Sequence, residues 1–230
     1  MRQTTVIESD SFCMNTEITY KAFGEKAALA VSEAKAVLLR FENILSRFIP
    51  NSEVSMINQH AGKGYVSDCL IKTLQKYGVV SAFINIGGNV STLGNKLDGS
   101  SWSVGIRHPR HYGCLIGAVK VTGKAVVTSG DYERYFIDRA GKRRHHILDP
   151  TTGYPVESGL ISVTVVADSA MIADALSTAI FVAGIDKGIR YLAQFPGVDV
   201  VLVDNRQQVF ITQGLKEIYQ AVEGINTIMI

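Results

Sequence analysis

The sequence predicts an α+β fold, a mixed and largely antiparallel sheet with flanking helices. Three observations predict it. Between Ala27 and Leu45 apolar residues fall at 27, 30, 31, 34, 37, 38, 41 and 44, the stripe of an amphipathic helix, in an Ala-rich and Gly-free run. From Ser91 onward, short strand-like runs are punctuated by turn-forming stretches at Pro109, Gly113 and Gly123. Helical periodicity then returns late in the chain, mixed with hairpins rather than alternating regularly with single strands.

In chain order, residues 3–8 and 15–20 read as short strands, followed by the 27–45 helix. Arg47–Asn58 reads as a polar connection with a turn at Pro50-Asn51-Ser52 and a short helix starting at Ser52–Ser55. Ser67 is an expected N-cap of a second helix, with Leu70, Ile71, Leu74 and Tyr77 inside and Gly78 just past its end. Val79–Ile86 reads as a buried strand ending at Gly87-Gly88-Asn89. Glycines there imply positive φ or a close approach of the backbone to something bulky. Strands follow over 102–106, 115–121 and 125–128, then two strand-like segments joined by the turn 139–142. Ile161–Val166 is the next strand, Ser169–Val182 and Asp186–Phe195 are helices, and 198–203 with 208–212 form a hairpin around Asp204-Asn205. The whole chain reads as one domain, 1–230.

Composition narrows the function. The chain has 230 residues, 47% apolar and 19% charged, with a formal charge of +2, too small for a nucleic-acid groove. Its one basic cluster, Lys142-Arg143-Arg144, sits at a turn and reads as a solvated tip. Cys13, Cys69 and Cys114 match no metal spacing and read as reduced thiols. No apolar leader or membrane-length run is visible, which gives the expectation of a soluble cytoplasmic protein.

Chemistry concentrates in 128–155, TSGDYERYFIDRAGKRRHHILDPTTGYP, where small hydroxyls, carboxylates and two histidines crowd the ends of strand-like segments. Thr128-Ser129-Gly130 offers hydroxyls and backbone N–H groups that could cradle phosphate oxygens. Tyr132 and Tyr135 alternate with Glu133 and Arg134, and the tyrosines are the expected buried pair. His145 and His146 on a strand face opposite ways, so one of them can serve a given pocket as base or phosphate contact. Asp149 before Pro150 is expected to organise the turn through an Asx-type bond to Thr151 or Thr152. Asp174 and Thr178 lie four apart on a helix, about 5–6 Å between Cβ atoms. They could share a hard cation such as Mg²⁺. From spacing alone, the simpler arrangement is favoured: Thr178 bonded back to the chain, Asp174 facing water.

Taken in order, these segments resemble the FAD:protein FMN transferase (ApbE-like) family. The resemblance rests on T-S-G-D-Y-E-R-Y at 128–135, H-I-L-D-P-T-T-G-Y-P at 146–155 and A-D-A-L-S-T at 173–178. It is joined by Met14-Asn15-Thr16, the stretch from Leu45 to Ser55 with Asn58, Lys63-Gly64-Tyr65 with Asp68, and Ile84–Asn89. It implies an ApbE-like (T-fold-like) fold that lacks a long family segment near residues 61–63. It also implies Mg²⁺-dependent transfer of FMN from FAD to a Ser or Thr hydroxyl of an acceptor protein, releasing AMP. By resemblance, Asp174, Thr178 and main-chain oxygens at Ser177 and Gly62 hold the metal, which reverses the reading from spacing. His146 is the base on the acceptor hydroxyl. Met14, Phe48, Lys63, Tyr65 and Ile147 line the FAD cleft, and Thr128 and Ser129 sit near the phosphates. The missing segment leaves two alternatives, a non-catalytic flavin-binding protein and an FAD diphosphate hydrolase. A second subunit of a homodimer is one source of the missing wall.

Overall fold

The computed structural model describes residues 6–14, 16–45 and 59–230. The expected turn and short helix at 50–55, and the family-like residues Asn15, Phe48 and Asn58, lie outside them. Two compact units emerge: 1–102 with 121–126 and 168–174, and 103–120 with 127–167 and 175–230.

The first unit opens with β1 (Val6–Cys13) and β2 (Thr16–Phe23), antiparallel in register from Val6 opposite Phe23 to Cys13 opposite Thr16. Helix α1 (Ala27–Leu45) has the bounds its stripe predicts, and Ala27, Ala30, Ala34 and Leu38 are buried. Helix α2 (Gln59–Lys76) comes next, then β3 (Ser81–Ile86) and β4 (Asn89–Leu93). The strand order is β1-β2-β3-β4, with Ala125 and Val126 of β7 (Ala125–Gly130) beside β4. Side chains of α1 and α2 close over one face of this sheet with Ile18, Tyr20, Ile84 and Ile86. Alternation along β2 sends Ile18, Tyr20 and Ala22 inward, which fixes its register.

In the second unit, β5 (Trp102–Arg107) and β6 (Leu115–Val121) form a small sheet with a later strand. A hairpin of β8 (Tyr135–Ile137) and β9 (Arg143–His145) stands apart. The completely buried β10 (Leu160–Ala167) leads to α3 (Ala170–Ala183), whose first turn belongs to the first unit, and to α4 (Ile185–Leu192). Next come β11 (Asp199–Asp204), β12 (Val209–Ile211), a 3-10 turn at Gln213–Leu215, β13 (Tyr219–Ala221) and β14 (Thr227–Met229). The order here is β7-β10-β11-β12-β14, with β14 parallel to β12. β13 pairs with β6, so the small sheet runs β13-β6-β5.

The α+β architecture is as the sequence predicts. Three details differ. α2 begins at Gln59, so Ser67 lies within the helix, fully buried, and its hydroxyl bonds Ser91 Oγ at 2.7 Å. A side-chain partner brought in by β4 replaces the capping role. Tyr135 is 47% exposed because the 131–134 stretch is a turn, which breaks the alternation that would have buried it. Strands β4, β13 and β14 were not delimited in the sequence, being short and polar or terminal.

Helix packing in the first unit hinges on Gly64. A Cβ there would lie 2.5 Å from the Ala170 carbonyl oxygen and 2.8 Å from Asp174 Cβ, so α2 touches the start of α3 backbone to backbone. Gly64→Ala should therefore destabilise by about 1–3 kcal/mol through overpacking, although alanine is the better helix former. A denaturant midpoint equal to or above that of the wild type would show that the two helices can part without cost.

Candidate active site

Two polar clusters hold the residues singled out above, one in each unit. In the first, Asp174 is 2% exposed. Its Oδ2 accepts the Gly64 N–H at 3.0 Å, the Asn89 side chain hydrogen-bonds it, and the Lys63 ammonium acts on it electrostatically. Burial outweighs these three favourable contacts and pushes the carboxyl up to about 6. The arrangement with Asp174 in water therefore does not hold.

The β3–β4 hairpin supplies the neighbouring wall. Gly87 (φ 55) and Gly88 (φ 96) form its two-residue turn, where both positions need positive φ. Asn85 Oδ1 accepts the Gly88 N–H at 2.9 Å. Gly87 meets the second expectation as well: a Cβ would overlap Thr16 Oγ1 and lie 3.3 Å from Lys63 Nζ. Lys63 is thus packed against glycine backbone, 9% exposed. Met14, at φ 53, is a non-glycine residue in the left-handed region, with its N–H given to Glu42 Oε1 at 2.9 Å. Tyr65 is exposed on α2, its ring edge-on to Phe41 at 5.5 Å. Gly62 lies in the first turn of α2, partly buried.

In the second unit, Ser129 Oγ lies 2.8 Å from Ser177 Oγ and 3.1 Å from Thr178 Oγ1, a knot of hydroxyls that is largely buried. Thr128 Oγ1 instead pairs with Thr164 Oγ1 at 2.8 Å, across to β10. Asp131, just past β7, is gripped by Arg110 through two parallel bonds of 2.7 Å, with Arg143 Nη1 at 3.7 Å. This fork-to-fork pair pins the chain where β7 ends and the 131–134 turn begins.

The histidines part, but not by alternation along one strand, since β9 ends at His145 and His146 lies at the bend just beyond it. His145 Nε2 bonds the Val156 carbonyl oxygen at 3.1 Å, and its ring meets Phe181 edge-on at 5.5 Å. His146 turns the other way, with Nδ1 3.2 Å from the Arg134 carbonyl oxygen. That contact requires Nδ1 to carry the proton, leaving the lone pair of the neutral ring on Nε2. Ile147 is buried and its carbonyl accepts the Val156 N–H, which anchors the strand beyond His146. Asp149 takes the expected Asx role, accepting Thr151 N–H at 2.8 Å and Thr151 Oγ1 at 2.7 Å, and these bonds hold its carboxyl below the usual range.

The basic tip is neutralised from within. Lys142 pairs with Glu157, Arg144 Nε donates to Asp138 at 2.8 Å, and Arg143 stacks on the Tyr135 ring at 4.0 Å. Cys13 is buried and its thiol is pushed up to about 12, mainly by desolvation, so it is inert. The described cysteines form no disulfide. No described helix is long and apolar enough to cross a membrane.

The donors present suit a hard cation. Among the described residues no three carboxylates, imidazoles or thiols gather for a metal. A cation here would rely on one carboxylate, hydroxyls and carbonyls. Asp174 is a buried carboxylate whose charged form burial disfavours, and a divalent ion would favour that form.

A family model for the ApbE family matches residues 61–202, which include both clusters. The chain belongs to the ApbE family. Among relatives, it is 36% identical over 188 residues to the FAD:protein FMN transferase of Klebsiella pneumoniae, covering 81% of this chain and 57% of that one. It is 38% identical over 164 residues to the Treponema pallidum protein of the same name, covering 66% and 44%. The chain thus spans about half the length of these curated relatives. In fold it superposes on the ApbE protein of Thermotoga maritima with a TM-score of 0.84 at 23% identity, covering 93% of this chain and 99% of that one. Three contributors to these ApbE clusters were not assigned roles from the sequence: Asn89, Asp68 and the Arg110–Asp131 pair. Asn89, Asp68 and Asp131 all stand within the family-like motifs, which was the available signal.

The burial of Asp174 has a pH signature. Its folded-state value, about 6, exceeds the ordinary 3.8, so its contribution to stability is full below about pH 4 and lost as the pH rises through 6. The loss is about 3 kcal/mol at full burial. Asp174→Asn, which can still accept the Gly64 N–H, should flatten the melting-temperature profile between pH 4 and 6. In chelator at pH 7 it should be the more stable protein. A variant that follows the wild-type profile throughout would locate the titration elsewhere.

Proposed function

We propose that this chain transfers FMN from FAD to a Ser or Thr hydroxyl of an acceptor protein, with release of AMP and dependence on Mg²⁺. The observation that carries the proposal is the placement of Asp174: a buried carboxylate near the start of α3 that accepts the Gly64 N–H of α2, four residues before Thr178. The names of the relatives, FAD:protein FMN transferase, supply the reaction class.

Mg²⁺ on the diphosphate would neutralise charge and make AMP a better leaving group. On this reading Asp174, Thr178 and the carbonyls of Ser177 and Gly62 are its ligands. Met14, Phe48, Lys63, Tyr65 and Ile147 contact FAD, Lys63 bringing a positive charge from a packed position. Thr128 and Ser129 orient phosphate oxygens, Ser129 being held by its bonds to Ser177 and Thr178. His146, its Nδ1–H turned to the Arg134 carbonyl, takes the acceptor hydroxyl proton at Nε2. The hydroxyl oxygen bonds to the FMN-side phosphorus as the bridging P–O bond breaks, and AMP departs with that oxygen.

Incubation with FAD, Mg²⁺ and an acceptor protein carrying a Ser/Thr flavinylation motif should yield equimolar AMP and covalent FMN adduct by mass spectrometry. His146→Ala should slow turnover by about 10²–10⁴-fold and Asp174→Ala by at least as much. AMP with free FMN and no acceptor requirement would instead identify a diphosphate hydrolase. Binding of FAD without AMP would identify a non-catalytic flavin binder. Undiminished adduct from both variants would remove the mechanism.

A further inference from the structure

Asp68 lies on α2, one helical turn beyond Gly64, and its carboxylate is given wholly to the start of α3. Oδ1 accepts the Ala170 N–H at 2.8 Å, while Oδ2 accepts the Ser169 hydroxyl at 2.7 Å and the Met171 N–H at 3.2 Å. Ser169 Oγ in turn accepts the Ile172 N–H at 3.3 Å, the ordinary bond of an N-cap serine. The opening turn of α3 is therefore capped twice, once by its own serine and once by an acid from another helix. In the opposite direction, the Asp174 carboxylate on α3 accepts the Gly64 N–H of α2 at 3.0 Å. Each helix thus gives a carboxylate to the backbone of the other, four residues apart on α2 and three to four apart on α3. Gly64 lets them close to this distance.

We infer that Asp68 is a positioning residue for Asp174: by holding the first turn of α3 against α2, it fixes where the Asp174 carboxylate stands relative to the Gly64 N–H. Three bonds to one carboxylate, two of them from backbone N–H groups at a helix start, exceed what a surface cap ordinarily makes. Their direction matters. They restrain α3 along its axis and around it, the two movements that would carry Asp174 off the Gly64 N–H. Groups that orient a metal ligand from behind commonly shift metal affinity by about 10–100-fold when removed. The inference rests on the metal-binding reading of Asp174, so its test carries one readout that needs no metal.

Mn²⁺ serves as the probe, its affinity measured by electron paramagnetic resonance on the full chain without flavin. Asp68→Ala should weaken Mn²⁺ binding by about tenfold or more. Asp68→Asn, which keeps Oδ1 for Ala170 but faces the Met171 N–H with a second donor, should fall between. Leu38→Ala, a cavity in the α1 core far along the chain from these groups, serves as a control for general loss of stability and should leave affinity within about twofold. The second readout is hydrogen exchange at the Gly64 amide. Its protection should fall in Asp68→Ala by more than the drop in global stability accounts for, and not in the control. Wild-type Mn²⁺ affinity in both Asp68 variants would overturn the inference, as would an undisturbed Gly64 amide. If the wild-type chain binds no Mn²⁺, the metal reading fails and the Gly64 amide alone decides whether Asp68 positions Asp174. If Asp68→Ala does not fold, Asp68→Asn carries both measurements.

Discussion

A carboxylate shut into the contact between two helices is the constraint on which the rest of this structure turns. Burying Asp174 costs free energy in proportion to the charge it carries, and the chain offsets only part of that cost with the Gly64 N–H, Asn89 and Lys63. Every element that approaches this group is shaped by the need to reach it without filling its space. α2 carries glycine at position 64 where any side chain would collide with α3. β3 and β4 turn through two glycines, so that Lys63 can lie against bare backbone. The group that is hardest to accommodate thus dictates the small residues around it, and a core built for stability alone would hold an apolar residue there.

A second economy operates in the other unit, where hydroxyls replace charge. Ser129, Ser177 and Thr178 satisfy one another, and Thr128 is matched with Thr164. Hydroxyls can donate or accept, so such a knot can reorganise around an anionic ligand without leaving a buried group unpaired. The charged groups nearby are spent on architecture: Arg110 and Arg143 hold Asp131 at the end of β7, and Asp149 closes the 149–152 turn. His145 and His146 each set one ring nitrogen against a backbone carbonyl, Nε2 in the first and Nδ1 in the second, an arrangement that selects opposite tautomers.

Much of this was legible in the sequence, and the parts that were not share a cause. α1 was read to the residue because a Gly-free run of 3.6-residue periodicity leaves little else possible. β10 was legible as a short apolar run rich in valine, and the motifs at 128–135, 146–155 and 173–178 marked where chemistry would gather. The start of α2 was hidden because Gly62, Gly64 and Ser67 are ordinarily signs of a loop or a cap. Here tertiary contact overrides local preference: Gly64 serves helix approach and Ser67 finds Ser91. The role of Asp68 was hidden for a different reason. Its partners lie 101 to 103 residues further along the chain, and no local pattern announces a bond of that span.

The hairpin of β8 and β9 has a consequence for how anionic molecules meet the protein. Lys142, Arg143 and Arg144 are adjacent in sequence, yet each is answered at close range by Glu157, Asp131 or Asp138. Charges paired within a few ångströms cancel at distances beyond the Debye length, about 8 Å at physiological salt. An anion nearing this tip meets charge that is mostly paired, with Asp131 shared between Arg110 and Arg143. Long-range steering of an anion by these three residues is accordingly weak.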